Sequence, residues 1–81
     1  MEIIILGTGC VRCRNLEAAT RQAVDEMGIE AVVSKEEDIV KIMEFGVMQT
    51  PGLVINGKVV SSGRLLTNSQ IKEIITKNQS I

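Results

Sequence analysis

The chain lacks histidine, tryptophan and tyrosine, and a single phenylalanine is its only aromatic residue. Histidine is the side chain that most often acts as a general base or metal ligand near neutral pH, so the usual means of activating a nucleophile is missing. Proteins that bind single-stranded nucleic acid combine a basic groove with aromatic side chains. Because the basic residues here are scattered and the net charge is −1, no nucleic-acid partner is expected.

A long apolar run is also missing. The segment Glu2–Leu6, EIIIL, is too short and unsuitably flanked to be a signal peptide or a membrane span. We therefore expect a cytoplasmic protein with no membrane partner. Thiols in the cytoplasm are kept reduced, so a lasting structural disulfide is not expected. A crosslink between Cys10 and Cys13 would also close a minimal loop, and disulfide stabilisation grows with loop length.

The remaining composition is that of an ordinary globular domain, with 44% hydrophobic and 23% charged residues. The 81 residues are expected to form one domain, 1–81, because a division would leave two pieces too small to bury a core. No repeat or linker is visible. We expect the protein to be a monomer.

The chain begins with the pattern of a strand followed by a helix. The β-branched run Glu2–Leu6 is typical of a strand buried on both faces. After a glycine-rich break at residues 7–9, apolar residues recur at helical spacing, which predicts a helix over Cys10–Met27. Gly28 is its expected C-cap.

A second strand and a second helix are predicted next. The strand is expected at Glu30–Lys35. Ser34 and Glu37 have the spacing of a capping box, which predicts the start of a helix. Gly46 is expected to end that helix.

The last third of the chain predicts a hairpin and a final helix. Asn56 and Gly57 lie between the apolar runs LVI and KVV, and both turn positions of such a hairpin need a positive φ. The final helix has three candidate N-caps, Thr67, Asn68 and Ser69. The order βαβαββα predicts an α/β fold with a four-stranded mixed sheet and helices on both faces.

Cys10 is predicted at the start of the first helix, where unpaired N–H groups and the helix dipole place partial positive charge. That position favours a thiolate and lowers the pKa of the cysteine, and Arg12 and Arg14 add positive charge nearby. Cys13 lies one turn further on, with its Cβ about 5–6 Å from that of Cys10, so a disulfide closes with little movement. We expect Cys13 to be more buried, to keep the higher pKa, and to displace whatever Cys10 captures.

Three other uses of the two cysteines stay open at this point. A structural zinc site needs four ligands, and here carboxylates would have to complete it because the chain has no imidazole. A Cu(I) site needs only two thiolates. Packing of two unreactive cysteines in the core is the third alternative.

Two separated segments carry a family resemblance. GTGCVRC at residues 7–13 and TPGLVINGKVVSSGRL at residues 50–65 together resemble the thioredoxin–glutaredoxin superfamily, and especially its small redox-active disulfide proteins. The resemblance implies a thioredoxin-like fold and a protein thiol–disulfide oxidoreductase with a redox-active Cys10–Cys13 pair. It also implies protein disulfides as substrates, a thioredoxin-reductase-type electron donor, and no cofactor or bound metal.

The resemblance also assigns a substrate-binding side to the site. It implies that Pro51 is cis and lies opposite the cysteines, and that the backbone of Thr50 pairs with an extended substrate segment. Gly63 would let a backbone approach closely, and Val11 and Arg12 would lie exposed at the mouth of the site. Without the resemblance, Pro51 is simply the first residue of a strand and Gly63 an ordinary loop glycine.

The chain departs from better-known relatives in three ways. Thioredoxins usually have tryptophan before the first cysteine and Gly-Pro between the cysteines, where this chain has Gly9 and Val11-Arg12. They also bury a carboxylate in the strand beneath the cysteines, where this chain has only isoleucine and leucine. Glutaredoxins place an aspartate for the glutathione amine where this chain has Arg64, which argues against glutathione as co-substrate.

Two other functions remain alternatives. Cu(I) carriers of the heavy-metal-associated type also have CxxC after a first strand, but they run βαββαβ and normally have methionine where this chain has Thr8. A redox-sensing regulatory module would share the cysteines and exchange slowly with general substrates. The sequence does not separate such a module from a catalyst with one narrow partner.

Overall fold

A computed structural model of the protein describes residues 1–79. Within these residues the order of elements is βαβαββα, which confirms the predicted α/β class. No helix in this part of the chain combines the length and apolarity needed to cross a membrane. The elements are β1 (Glu2–Leu6), α1 (Val11–Met27), β2 (Val32–Glu36), α2 (Ile39–Glu44), β3 (Gly52–Ile55), β4 (Lys58–Ser62) and α3 (Asn68–Lys77).

Strand β1 lies inside a sheet of order β2-β1-β3-β4. It pairs in parallel with β2, from Glu2 opposite Val32 to Leu6 opposite Glu36. It pairs antiparallel with β3, and β3 pairs antiparallel with β4. The sheet is therefore mixed, as predicted, and the end of β1 that leads to the cysteines is held by a neighbour on each side.

Alternate residues of β1 face two separate hydrophobic clusters, because side chains alternate along a strand. Ile3 and Ile5 belong to the cluster that contains Leu16 and Ala23 of α1 and Ile71 and Ile75 of α3. Leu6 belongs to the cluster on the other face, with Ile42 of α2 and Val47. Helices thus cover both faces of the sheet, which confirms the predicted architecture.

The predicted hairpin joins β3 to β4. Asn56 and Gly57 have φ angles of 51° and 81°, the left-handed values that a tight two-residue turn requires. Asn56 also ties the turn to β1, because its Oδ1 accepts from Glu2 N at 2.9 Å and its N donates to Glu2 O at 2.8 Å.

The predicted capping box of α2 is wrong. Ser34 lies inside β2, opposite Ile4, because the parallel ladder with β1 continues to Glu36. The N-cap is Asp38, whose Oδ1 accepts from Val40 N at 2.9 Å. Strand β2 correspondingly begins and ends later than predicted, since the register with β1 determines which residues pair.

Two helix ends follow the sequence closely. Gly28 is the C-cap of α1 with φ of 64°. Thr67 is the N-cap of α3, where its Oγ1 accepts from Gln70 N at 3.2 Å and Gln70 Oε1 accepts from Thr67 N at 2.9 Å. This reciprocal pair satisfies two N–H groups that the first turn of a helix leaves unpaired.

Candidate active site

Cys10 is the N-cap of α1, at the point where the chain leaves β1 and turns into the helix. Its backbone is extended, and its Sγ accepts a hydrogen bond from Cys13 N at 3.3 Å. Gly9 precedes it with φ of 85°, a conformation that glycine adopts without strain. The sulfur of Cys10 therefore occupies the place that a hydroxyl or carboxylate oxygen takes in most N-caps.

The two cysteines differ in exposure although their sulfurs touch. Cys10 is exposed, whereas Cys13 is 4% exposed and belongs to the core. Both are free thiols, and their Sγ atoms lie 2.7 Å apart and share a hydrogen bond. The sulfur of Cys10 therefore faces solvent, and the sulfur of Cys13 lies buried directly behind it.

The pKa values of the pair move in opposite directions. The hydrogen bond from the Cys13 thiol lowers the pKa of Cys10, and the bond from Cys13 N lowers it further. Burial raises the pKa of Cys13, and its hydrogen bond to Cys10 raises it again. When the pair loses one proton, Cys10 is therefore the thiol that loses it first, and the negative charge lies at the helix start, where it is best stabilised.

Gly7 allows Cys13 to pack directly against the end of β1, and the sequence analysis did not single out this glycine. A Cβ at position 7 would overlap Cys13 Sγ. Gly7 directly follows β1, so the first turn of α1 packs onto the strand end without an intervening side chain. The glycine-rich break at residues 7–9 was the available signal, but the contact with Cys13 depends on how α1 lies on the sheet.

Arg12 connects the cysteine segment to the second half of the chain. Its Nη2 donates to Gly63 O at 3.3 Å, and Gly63 N donates to Pro51 O at 2.8 Å. The Thr50–Pro51 peptide bond is cis. Three residues that sequence reasoning placed at the site, Arg12, Pro51 and Gly63, are thus joined by a continuous chain of hydrogen bonds.

Gly63 is more than an ordinary loop residue. Its φ is 69°, and a Cβ at this position would lie 2.9 Å from the Cβ of Gln49. Gln49 directly precedes the Thr50–Pro51 pair, so the segment around Gly63 packs closely against the approach to the cis bond. Both the backbone angle and this contact favour glycine.

An apolar groove adjoins the site between Thr8 and Thr50 and has a volume of about 250 Å³. Its other lining residues come from α2 and the segment after it, and they are Ile39, Ile42, Met43, Val47 and Met48. Met48 is 88% exposed. Val11 is 63% exposed at the start of α1, as expected for a residue between the two sulfurs.

Comparison with known proteins identifies the family. A family model described as a thioredoxin domain matches residues 1–76. A thioredoxin from Methanothermobacter thermautotrophicus is 40% identical over 76 residues, which cover 94% of this chain and 99% of that protein. A thioredoxin from Methanocaldococcus jannaschii is 37% identical over 71 residues, which cover 88% of this chain and 81% of that protein. The chain belongs to the thioredoxin family.

Membership of the thioredoxin family, together with a CxxC pair at the start of α1, identifies the protein as a thiol–disulfide oxidoreductase. The observed fold does not fit the Cu(I)-carrier alternative, because those carriers have the element order βαββαβ and residues 1–79 have the order βαβαββα. Within the described residues, no three histidine, cysteine, aspartate or glutamate side chains are grouped so as to hold a metal ion.

Proposed function

We propose that this thioredoxin-family protein reduces disulfides in other proteins, with Cys10 as nucleophile and Cys13 as resolving thiol. The observation that carries the proposal is the asymmetry of the pair, in which an exposed sulfur with a lowered pKa touches a buried sulfur with a raised pKa. Thiolates attack disulfides and thiols do not, so the exposed sulfur reacts first.

The reaction proceeds in two exchanges. The Cys10 thiolate attacks one sulfur of the substrate disulfide, a mixed disulfide forms, and the other substrate sulfur leaves as a thiolate that takes a proton from water. Cys13 then loses its proton and attacks Cys10 Sγ, which releases the second substrate sulfur. Two electrons pass to the substrate, and a Cys10–Cys13 disulfide remains. An external dithiol donor of the thioredoxin-reductase type returns the pair to its reduced state.

Substrate binding is assigned to the surface around Pro51. The backbone of Thr50 pairs with an extended segment of the substrate, in the manner of an added β-strand. Val11 and Arg12 contact the substrate beside the sulfurs, and Gly63 leaves room for its backbone. The groove lined by Met43 and Met48 supports this assignment, since flexible thioethers adapt to varied apolar side chains.

The proposal also covers the domain organisation, location, oligomeric state and substrate class of the protein. We assign the whole chain, 1–81, to one domain that acts as a cytoplasmic monomer. Protein disulfides are its substrates, and glutathione is disfavoured because Arg64 stands where a glutathione-binding relative places an acceptor for the amine.

An insulin-reduction assay tests the proposal. With dithiothreitol or a thioredoxin reductase system as electron donor, the wild-type protein is expected to accelerate precipitation of reduced insulin. Cys10→Ser is expected to fall to the uncatalysed rate, because serine is not a nucleophile towards disulfides. Cys13→Ser is expected to accumulate a mixed disulfide with its substrate, visible by mass spectrometry.

Two outcomes would count against the proposal. If the wild-type protein gave no acceleration with any donor, general disulfide reduction would be rejected in favour of a redox-sensing module with one partner. If Cys10→Ser, whose only thiol is Cys13, formed mixed disulfides with the substrate as readily as Cys13→Ser, the assignment of the nucleophile would be wrong.

A further inference from the structure

A small cavity lies next to Cys13, and the Cys13 side chain forms part of its wall. Its apolar wall is formed by Ile5 and Gly7 with the Cys13 side chain, and its polar wall is formed by four charged side chains. Its volume is about 10 Å³, which is the size that holds the centre of one water molecule. The charged side chains are Arg14, Glu17, Lys35 and Glu37.

The proposed function leaves one requirement of the second exchange unmet. Cys13 has to lose its proton before it attacks Cys10 Sγ, yet burial raises its pKa. The chain has no histidine, and β1, which runs beneath the site, has only isoleucine and leucine after Glu2. A general base acts within hydrogen-bond distance of the proton, or through one water.

Glu17 has the position that such a base needs. It lies one helical turn after Cys13 on α1, so both side chains are on the same face of the helix. Its side chain is only 20% exposed. Arg21 fixes the carboxylate through Oε2, with Nε at 3.1 Å and Nη2 at 3.0 Å. Within residues 1–79, Oε1 of Glu17 accepts no hydrogen bond.

Glu37 is the other carboxylate on the cavity and is less suited to the task. Its side chain is 52% exposed, and its Oε1 lies 4.0 Å from Lys35 Nζ. Its Oε2 lies against Gly9, on the side of Cys10 rather than one turn behind Cys13. Glu37 therefore serves as the natural comparison for Glu17.

We propose that Glu17 accepts, through one water in this cavity, the proton that Cys13 loses when it attacks Cys10 Sγ. The Cys13 S–H bond breaks, the proton passes to the water, and a proton of that water passes to Glu17, which becomes a carboxylic acid and then releases the proton to solvent. The electron pair left on Cys13 forms the bond to Cys10 Sγ, and the bond from Cys10 to the substrate sulfur breaks.

Other charged side chains lie around the cavity through which the Cys13 proton would leave. Arg14 and Arg21 belong to α1, and Lys35 and Glu37 come from β2 and the residue that follows it. No charged residue of β1 lines the cavity. These side chains surround the cavity through which the proton would leave Cys13.

Stopped-flow kinetics with 5,5′-dithiobis(2-nitrobenzoate) separates the two exchanges. The reduced protein releases one thionitrobenzoate when Cys10 attacks and a second one when Cys13 resolves the mixed disulfide. Glu17→Gln is expected to leave the first phase unchanged and to slow the second phase at pH 7 by about tenfold to a hundredfold, at or below the usual contribution of a general base. The difference is expected to vanish at alkaline pH, where Cys13 is already a thiolate.

A control variant makes the result specific. Glu37→Gln removes the other carboxylate on the cavity and is expected to keep the second phase within about threefold of wild type, well below the contribution of a general base. An unchanged or faster second phase in Glu17→Gln would overturn the proposal. An equal loss in Glu37→Gln would overturn it as well.

This inference rests on the proposed function, and the same traces distinguish the two. If the wild-type protein released only one equivalent of thionitrobenzoate, the resolving role of Cys13 would fail and the proposed function with it. A normal wild-type second phase that Glu17→Gln did not slow would reject only the proton path.

Discussion

The depth at which Cys13 sits depends on a residue that has no side chain. Gly7 N donates to Glu36 O at 2.9 Å, so the chain is still tied to β2 one residue beyond the end of β1. A Cβ at position 7 would overlap Cys13 Sγ and lie 2.8 Å from Cys13 Cβ. Since the backbone of Gly7 is held by this hydrogen bond, the clash would have to be relieved by moving Cys13 and the first turn of α1.

We therefore expect Gly7→Ala to destabilise the reduced protein by about 1–3 kcal/mol, the usual cost of overpacking a core. Urea unfolding measures the change. The matched control is the same substitution in a Cys13→Ala background, where the overlap with Sγ is gone and only the contact between Cβ atoms remains. The cost of Gly7→Ala is expected to be clearly smaller there. An equal cost in both backgrounds would show that the glycine serves the backbone and not the sulfur.

At the scale of the elements, Cys10 has a second role as the N-cap of α1. Its Sγ is the acceptor for Cys13 N, and the first turn of α1 contains no acidic residue. The helix start therefore relies on a sulfur for its capping, and the same N–H group that stabilises the thiolate is the one that the helix needs to satisfy.

This dual role predicts different stabilities for two inactive variants. Cys10→Ser keeps a good capping side chain, whereas Cys10→Ala removes it, and we expect the alanine variant to be less stable by about 1 kcal/mol. Chemical denaturation of both variants under reducing conditions measures the difference. Thr67→Ser and Thr67→Ala at the N-cap of α3 provide the calibration. Equal stability of the two Cys10 variants, with the expected difference at Thr67, would mean that packing alone holds the start of α1.

Much of the element order could be predicted because local signals and the fold agree. The run Glu2–Leu6, the C-cap Gly28 and the turn Asn56-Gly57 each form the predicted structure. The capping box at Ser34 failed although its spacing was correct, because pairing with Ile4 of β1 holds Ser34 in a strand. A local helix signal was overridden by a ladder whose register no local pattern reveals.

The active site, too, has features that the sequence predicts and features that it does not. The positions of Cys10 and Cys13 follow from their spacing and from the strand–helix junction, which are local properties. The hydrogen bond from Arg12 to Gly63 joins residues 51 positions apart, and the position of Glu17 on a cavity with Lys35 needs the packing of α1 against β2. Contacts of this kind depend on the assembled sheet, so residue patterns alone do not predict them.

At the scale of the whole molecule, the chain has no histidine, so the cysteines contribute clearly to the change in the free energy of unfolding with pH near neutrality. Since no histidine is present, cysteine is the side-chain type in this sequence whose ordinary pKa lies closest to neutrality. The sheet places the two sulfurs together at the end of β1, and their pKa values shift in opposite directions there. The folded and unfolded states therefore bind different numbers of protons across the thiol range.

The sign of the effect follows from linkage. Folding lowers the pKa of Cys10, so below the ordinary thiol pKa of about 8.5 the unfolded state binds more protons and stability rises with pH. Folding raises the pKa of Cys13, so above that value the folded state binds more protons and stability falls as pH rises towards the folded pKa of Cys13. The reduced protein is expected to be most stable close to the ordinary thiol pKa, and the stability gained through exposed Cys10 is lost as pH falls through its lowered pKa.

Urea unfolding midpoints of the reduced protein at closely spaced pH values test this expectation, with a Cys10→Ser, Cys13→Ser double variant as control. The variant keeps every other ionisable group of the chain, so the difference between the two profiles isolates the cysteines. We expect that difference to rise with pH to a maximum near the ordinary thiol pKa of about 8.5 and to fall beyond it. Parallel profiles would contradict the opposite pKa shifts, because a coupled pair that bound protons equally in both states would contribute no slope.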